Sequence, residues 1–105
     1  MSATARRDVD LARVFRALGD PTRLAIFEAV RTATEGCAGC TEAEIDNSIS
    51  EIASQFDLAL STVSHHLREL RLAGLIRCER RGQQIHCMVA PEALDAAGRF
   101  LRQAS

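Results

Sequence analysis

The sequence predicts a mainly helical domain with one small β-hairpin, in the order α-α-α-α-β-β-α. Three observations carry this. Apolar residues recur at helical spacing in five segments. Two short helices meet at the turn Asp57-Leu58-Ala59-Leu60. Leu75–Glu79 and Gln84–Val89 flank Arg80-Arg81-Gly82-Gln83 and read as paired strands.

Residues 1–7 are expected to form a disordered arm, and residues 8–105 one domain. The first helix starts near Asp8, with Leu11, Val14, Phe15 and Leu18 at i, i+3, i+4, i+7, and Gly19 ends it. Asp20-Pro21 opens the second helix, aspartate as N-cap and proline at the first helical position. It runs to about Thr34, with Leu24, Phe27 and Val30 expected inward. Residues 35–48 break the pattern with two glycines and two cysteines, and Thr41-x-x-Glu44 could cap a short helical turn. Ile49 reads as strand. Ser50 is the expected cap of the third helix (Ile52, Ala53 and Phe56 inward), and Ser61 that of the fourth (Val63, Leu67 and Leu70 inward). Gly74 closes the fourth helix. Leu75–Glu79 and Gln84–Val89 are the expected strands. Pro91 opens a last helix with Leu94, Ala97, Phe100 and Leu101 on one face.

The chain has 105 residues, a net charge of −1 and 47% apolar residues, more than a small monomer needs. All 13 basic residues are arginine. Their distribution matters more than the total. Residues 32–60 carry six acidic groups and no basic one, whereas residues 61–86 carry five arginines against two glutamates. No segment approaches the ~18 consecutive apolar residues of a membrane span. The stretch MSATARRDVDLARVF lacks the apolar core of a secretory signal, so a cytoplasmic location is expected. In that compartment four cysteines point to metal or redox chemistry rather than a disulfide framework.

A pair of helices at a tight turn followed by a basic hairpin is a helix-turn-helix with a wing, an architecture suited to duplex DNA. A major groove admits one helix, whose N-terminal residues reach base edges. Ser61, Thr62, Ser64, His65 and Arg68 lie opposite the apolar stripe of the fourth helix and are the candidate contacts there. Arg80 and Arg81 at the hairpin tip suit a narrow minor groove. His66 is one step round the helix and reads as a packing or phosphate-positioning histidine rather than a metal ligand.

Asp20-Pro21-Thr22-Arg23, Leu60-Ser61, Val63-Ser64-His65-His66-Leu67, Leu70-Arg71, Ala73-Gly74-Leu75-Ile76 and Arg81-Gly82 together resemble the ArsR/SmtB family of metal-sensing winged-helix repressors. The resemblance spans roughly residues 9–101. It implies a homodimer built from the first and last helices, repression of a nearby operon and release of double-stranded operator DNA when an inducer binds. It also implies two sensing sites that this chain lacks. The family's Cys-x-Cys at the start of the third helix is here Ile49-Ser50-Glu51-Ile52-Ala53. Its Asp/His zinc site on the last helix finds Glu92 and Asp95 but no histidine.

The cysteines of this chain lie elsewhere. Cys37-x-x-Cys40 places two thiolates within reach of one ion. Cys78 and Cys87 fall symmetrically about Gly82-Gln83 and should face each other across the strands. Three readings follow. Cys37, Cys40, Cys78 and Cys87 could bind a soft metal or metalloid such as arsenite, zinc, cadmium or copper(I). Pairs of them could form reversible disulfides in a redox-sensing repressor. Or the wing cysteines are small buried hydrophobes in a protein that senses no metal. A thiol oxidoreductase would place its CxxC at the start of a helix within a βαβ unit. Here the motif follows a helix and no parallel-sheet pattern exists, so no enzyme is expected.

Overall fold

The computed structural model describes residues 9–35 and 49–104. Within them run α1 (Leu11–Leu18), α2 (Pro21–Glu35), α3 (Ile49–Phe56), α4 (Leu60–Leu72), β1 (Ile76–Arg81), β2 (Gln84–Val89) and α5 (Pro91–Ala104), in the expected order. The readings of residues 1–8, of Cys37 and Cys40 and of the Thr41-x-x-Glu44 turn lie outside the described residues.

Local chemistry sets the helix ends. The Asp10 carboxylate accepts the Arg13 N–H at 3.1 Å, so α1 begins at Leu11, after the expected start. Asp20 caps α2 by accepting the Arg23 N–H at 2.9 Å, with Pro21 at the first helical position as expected. The Arg23 guanidinium in turn donates to the Ala17 carbonyl at 3.3 Å and ties the start of α2 to the end of α1.

Two expected caps are corrected. Ser50 lies inside α3, and Ile49 is helical rather than in a strand, because Ile49 completes the i, i+3, i+4, i+7 stripe with Ile52, Ala53 and Phe56. Ser61 lies inside α4, whose N-cap is Ala59. The Ala59 carbonyl accepts the Val63 N–H at 3.1 Å and no side chain caps the helix.

The helix-turn-helix corner is built by backbone bonds. Asp57 takes a left-handed φ of 55°. Its N–H donates to Ser54 at 3.3 Å, and the Leu58 N–H donates to Ala53 at 3.0 Å. This is a Schellman closure, which reverses the chain within a few residues. The same closure ends α4. Gly74 has φ 81°, its N–H donates to Arg71 at 2.9 Å, and the Leu75 N–H donates to Leu70 at 3.0 Å. Leu70 and Leu75 are both fully buried, so the closure also seals the core.

That core comprises Val14, Ile26, Phe27, Val30, Ile52, Val63, Leu67, Leu70, Leu75, Ile76 and Cys87, with Ala93 and Ala97 from α5. Each large member contributes about 1.5–3 kcal/mol relative to exposure. α2 packs on α4 and on β2, α3 packs on α4 and β2, and α4 supports β1. Leu24, expected inward, is 40% exposed. The buried face of α2 follows Arg23, Ile26, Phe27 and Val30, an i, i+3, i+4, i+7 row that leaves Leu24 at its edge.

The strands pair antiparallel with Ile76 opposite Val89 and Arg81 opposite Gln84. β1 therefore starts one residue later and ends two residues later than expected. Gly82, at φ 63°, occupies the first position of the two-residue turn, where a type II′ hairpin demands glycine. No helix among the described residues is long and apolar enough to cross a membrane.

Candidate nucleic-acid interface and wing thiols

The α4 surface separates as its periodicity requires. Val63, Leu67 and Leu70 are buried, while Ser61, Thr62, Ser64, His65 and Arg68 are all exposed. The first turn of the helix presents free N–H groups with only the backbone of Ala59 as cap, so the hydroxyl-rich end is open to an anion. Arg80 is exposed on β1, and Arg81 stands next to Gly82 at the end of the same strand.

A further arginine belongs with this set. Ser64, Arg68 and Arg71 recur at i, i+4, i+7 along α4, and all three line a groove between α4 and the wing. Ile49, Leu67, Cys78, Arg80 and Ile85 complete the groove. Arg71's helical spacing from Arg68 was the available sequence signal. The groove itself depends on how the hairpin leans on α4.

His66 sits half-buried, its ring 5.7 Å from that of His65. Its Nδ1 is buried and has no hydrogen-bond partner among the described residues. Burial pushes its basicity below the ordinary histidine value, and the nearby Arg23 guanidinium adds to the effect while Asp20 opposes it. Burial and the Arg23 charge therefore favour the neutral form of His66 beside the Asp20–Arg23 corner.

The expected cross-strand pairing of Cys78 with Cys87 is observed, and the two sulfurs are 3.3 Å apart. Cys87 is 1% exposed; Cys78 is half-buried and opens on the groove. The pair is electrostatically unequal. A hydrogen bond from the Cys87 thiol stabilises the Cys78 thiolate, and with help from Arg71 and against its own burial lowers Cys78 to about 7. Donating that hydrogen bond, together with burial, pushes Cys87 far up. Among the described residues no third His, Cys, Asp or Glu joins a cluster that could hold a metal ion. The structure therefore brings together two of the four candidate thiols, and Cys37 and Cys40 lie outside the described residues.

The fold and the exposed α4 face define a winged helix-turn-helix regulator. A helix-turn-helix domain family matches residues 48–79. The transcriptional repressor SdpR of Bacillus subtilis is 32% identical over 73 residues, 70% of this chain and 68% of that protein. A cadmium resistance transcriptional regulatory protein CadC homologue of Staphylococcus aureus is 28% identical over 78 residues; the match covers 74% of this chain but only 55% of that relative. An ArsR-like transcriptional regulator from Rhodococcus sp. RHA1 superposes with a TM-score of 0.70 at 26% identity, over 90% of this chain and 77% of that one. The chain belongs to the ArsR/SmtB family of winged helix-turn-helix transcriptional regulators, which are DNA-binding proteins and not enzymes.

Proposed function

We propose that the protein is a homodimeric repressor that holds double-stranded operator DNA through α4 and the wing and is released by a soft metal or metalloid at its cysteine thiolates. The observation that carries the DNA half is the unbroken polar face Ser61, Thr62, Ser64, His65 and Arg68, continued by Arg80 on the wing. Arg68 and His65 would supply charge-assisted contacts, the serine and threonine hydroxyls would contact phosphate or base, and Arg80 with Arg81 would follow the minor groove. In a dimer, two such helices would read half-sites about one helical turn apart.

A dimer is supported by the apolar face left on α1 and α5. Phe100 rests against Phe15 with ring centroids 5.8 Å apart, yet it is 46% exposed and Leu101 is 57% exposed. A second copy would cover them, as the family resemblance implies.

The donor set supports a thiophilic ion. Cys78 and Cys87 would provide two sulfurs already side by side, and Cys37 and Cys40 the remaining ligands. Such an ion, as arsenite, zinc, cadmium or copper(I), would supply thiolate coordination that ties the residue 37–40 segment to the wing. Release then requires a difference in DNA affinity between two conformations, typically ~1–3 kcal/mol of coupling. The name of the S. aureus relative is consistent with this reading.

Fluorescence anisotropy on the protein's own upstream duplex tests the DNA half. Arg68→Ala should weaken binding and reduce the salt slope by about 1 if Arg68 contacts phosphate, or relax base preference at one position if it contacts guanine. Wild-type affinity in Arg68→Ala and in Ser64→Ala would remove α4 as the reader.

A further inference from the structure

The two wing thiols differ in access. Cys78 opens on the groove beside Arg68, Arg71 and Arg80, whereas Cys87, its neighbour across the strands on the same face, is buried in the core. Their backbone positions also suit a covalent bond. In a two-residue hairpin the pair that closes the turn, here Arg81 with Gln84, is hydrogen-bonded, and the pairs alternate outward from it. Cys78 and Cys87 therefore form a non-hydrogen-bonded pair, the class in which Cα atoms come to about 4.5 Å. That separation falls within the ~4.4–6.8 Å that a disulfide spans. Sulfurs now 3.3 Å apart need close only to ~2.05 Å, by side-chain rotation and without movement of either strand along the other.

We propose that Cys78 is a site of oxidation by hydroperoxides and that Cys87 resolves it, closing a reversible disulfide across the wing. The Cys78 sulfur attacks one peroxide oxygen. The O–O bond breaks, an alcohol (or water, from hydrogen peroxide) leaves, and Cys78 becomes a sulfenic acid. The Cys87 sulfur then attacks the Cys78 sulfur and expels the hydroxyl, which takes up the Cys87 proton and departs as water. Two thiols are oxidised by two electrons and one peroxide bond is reduced. The order follows from access: a peroxide reaches Cys78 from the groove, while Cys87 has no exposed sulfur to offer. A small-molecule dithiol reverses the bond by exchange.

The regulatory consequence rests on the proposed DNA reading and not on the metal site. Cys78 and Arg80 share one face of β1, and that face lines the groove against Ser64 and Arg68 of α4. A bond at Cys78 turns its side chain out of the groove contact with α4 and stiffens β1 against β2, which resets Arg80 relative to α4. Helix and wing then no longer match one duplex, and affinity falls, on the order of tenfold.

The test uses the reduced wild-type chain treated with hydrogen peroxide or cumene hydroperoxide, followed by proteolysis between the strands and mass mapping. The expected product has lost two hydrogens, links the Cys78 and Cys87 peptides within one chain, and reverts with dithiothreitol. In Cys87→Ala, Cys78 should stop at the sulfenic acid and be trapped by dimedone. In Cys78→Ala, Cys87 should take no label. Linkage of Cys78 to Cys37 or Cys40 instead, or dimedone labelling of Cys87 in Cys78→Ala, would overturn the assignment. The same oxidised sample should bind upstream duplex about tenfold more weakly; unchanged affinity would overturn the regulatory role. A protein that forms the disulfide but binds no duplex in either state would refute the DNA reading and leave the thiol chemistry standing.

Discussion

Asp57 holds the corner of the helix-turn-helix in a conformation that costs an L-residue energy. Its φ of 55° lies in the left-handed region, where glycine fits without strain. Asp57→Gly should therefore raise stability by up to about 1 kcal/mol, since aspartate already tolerates the region better than most residues. Urea denaturation would read this as a higher midpoint at constant slope, and a lower midpoint would show that the Asp57 carboxylate itself stabilises the corner. His66 gives a pH signature. Its basicity is depressed in the fold, first by burial and then by Arg23. The unfolded chain therefore takes up the proton first as pH falls through the ordinary histidine value of 6.5. The contribution is fully present above that value and is lost as pH falls through the lower folded value. Wild-type stability should decline from pH 7.5 to 5, and His66→Gln should flatten that decline. A decline of equal depth in both proteins would assign it to other groups. Neither feature was legible in the sequence. Asp57 was placed in a turn but not in its conformation, and the Arg23–His66 proximity joins residues 43 apart through the packing of α2 on α4.

At the scale of elements, the order and the turns were legible because their signals are local. Asp20-Pro21, Gly74 and Gly82-Gln83 each dictate backbone geometry within a few residues, and all three do so here. The symmetric spacing of Cys78 and Cys87 about a two-residue turn specifies their register, and the strands pair in that register. The serines misled for an instructive reason. Ser50 and Ser61 each precede an apolar stripe, as a cap should, but the stripe of α3 begins at Ile49 and α4 begins at Leu60 on a backbone cap. The groove that gathers Arg71 with Cys78 was hidden, because it exists only where the wing meets α4. Gly74 offers an element-scale test. A Cβ there would meet Ala93 at 3.7 Å, an ordinary contact, so its cost is confined to the backbone at φ 81°. Gly74→Ala should lower stability by about 1–2 kcal/mol in thermal or urea unfolding. No loss would mean that the closure of α4 relaxes without penalty.

The molecule as a whole leaves an apolar face where α1 and α5 meet. Phe100 and Leu101 of α5 are partly exposed, on the apolar face that the sequence gives them with Leu94 and Ala97. Ala93 and Ala97 take the buried positions on the chain's own core, and the larger side chains are left for the second copy in the proposed dimer. Leu101→Glu should shift sedimentation velocity from dimer to monomer and weaken operator binding, since one reading head loses its twin. A variant that sediments as the wild type would remove α5 from the interface. The proposed four-thiolate site also belongs to this scale, because it would join the wing to Cys37 and Cys40, which lie between α2 and α3 in the sequence.

The most direct measurement follows the reduced protein on its upstream duplex during anaerobic titration with arsenite, zinc, cadmium and copper(I), reading anisotropy and thiolate-to-metal absorbance together. The proposed mechanism predicts release at stoichiometric ion, with the absorbance rising in step and both signals lost in Cys78→Ser. Tight DNA binding that no ion disturbs would contradict it and leave the wing thiols to redox chemistry alone.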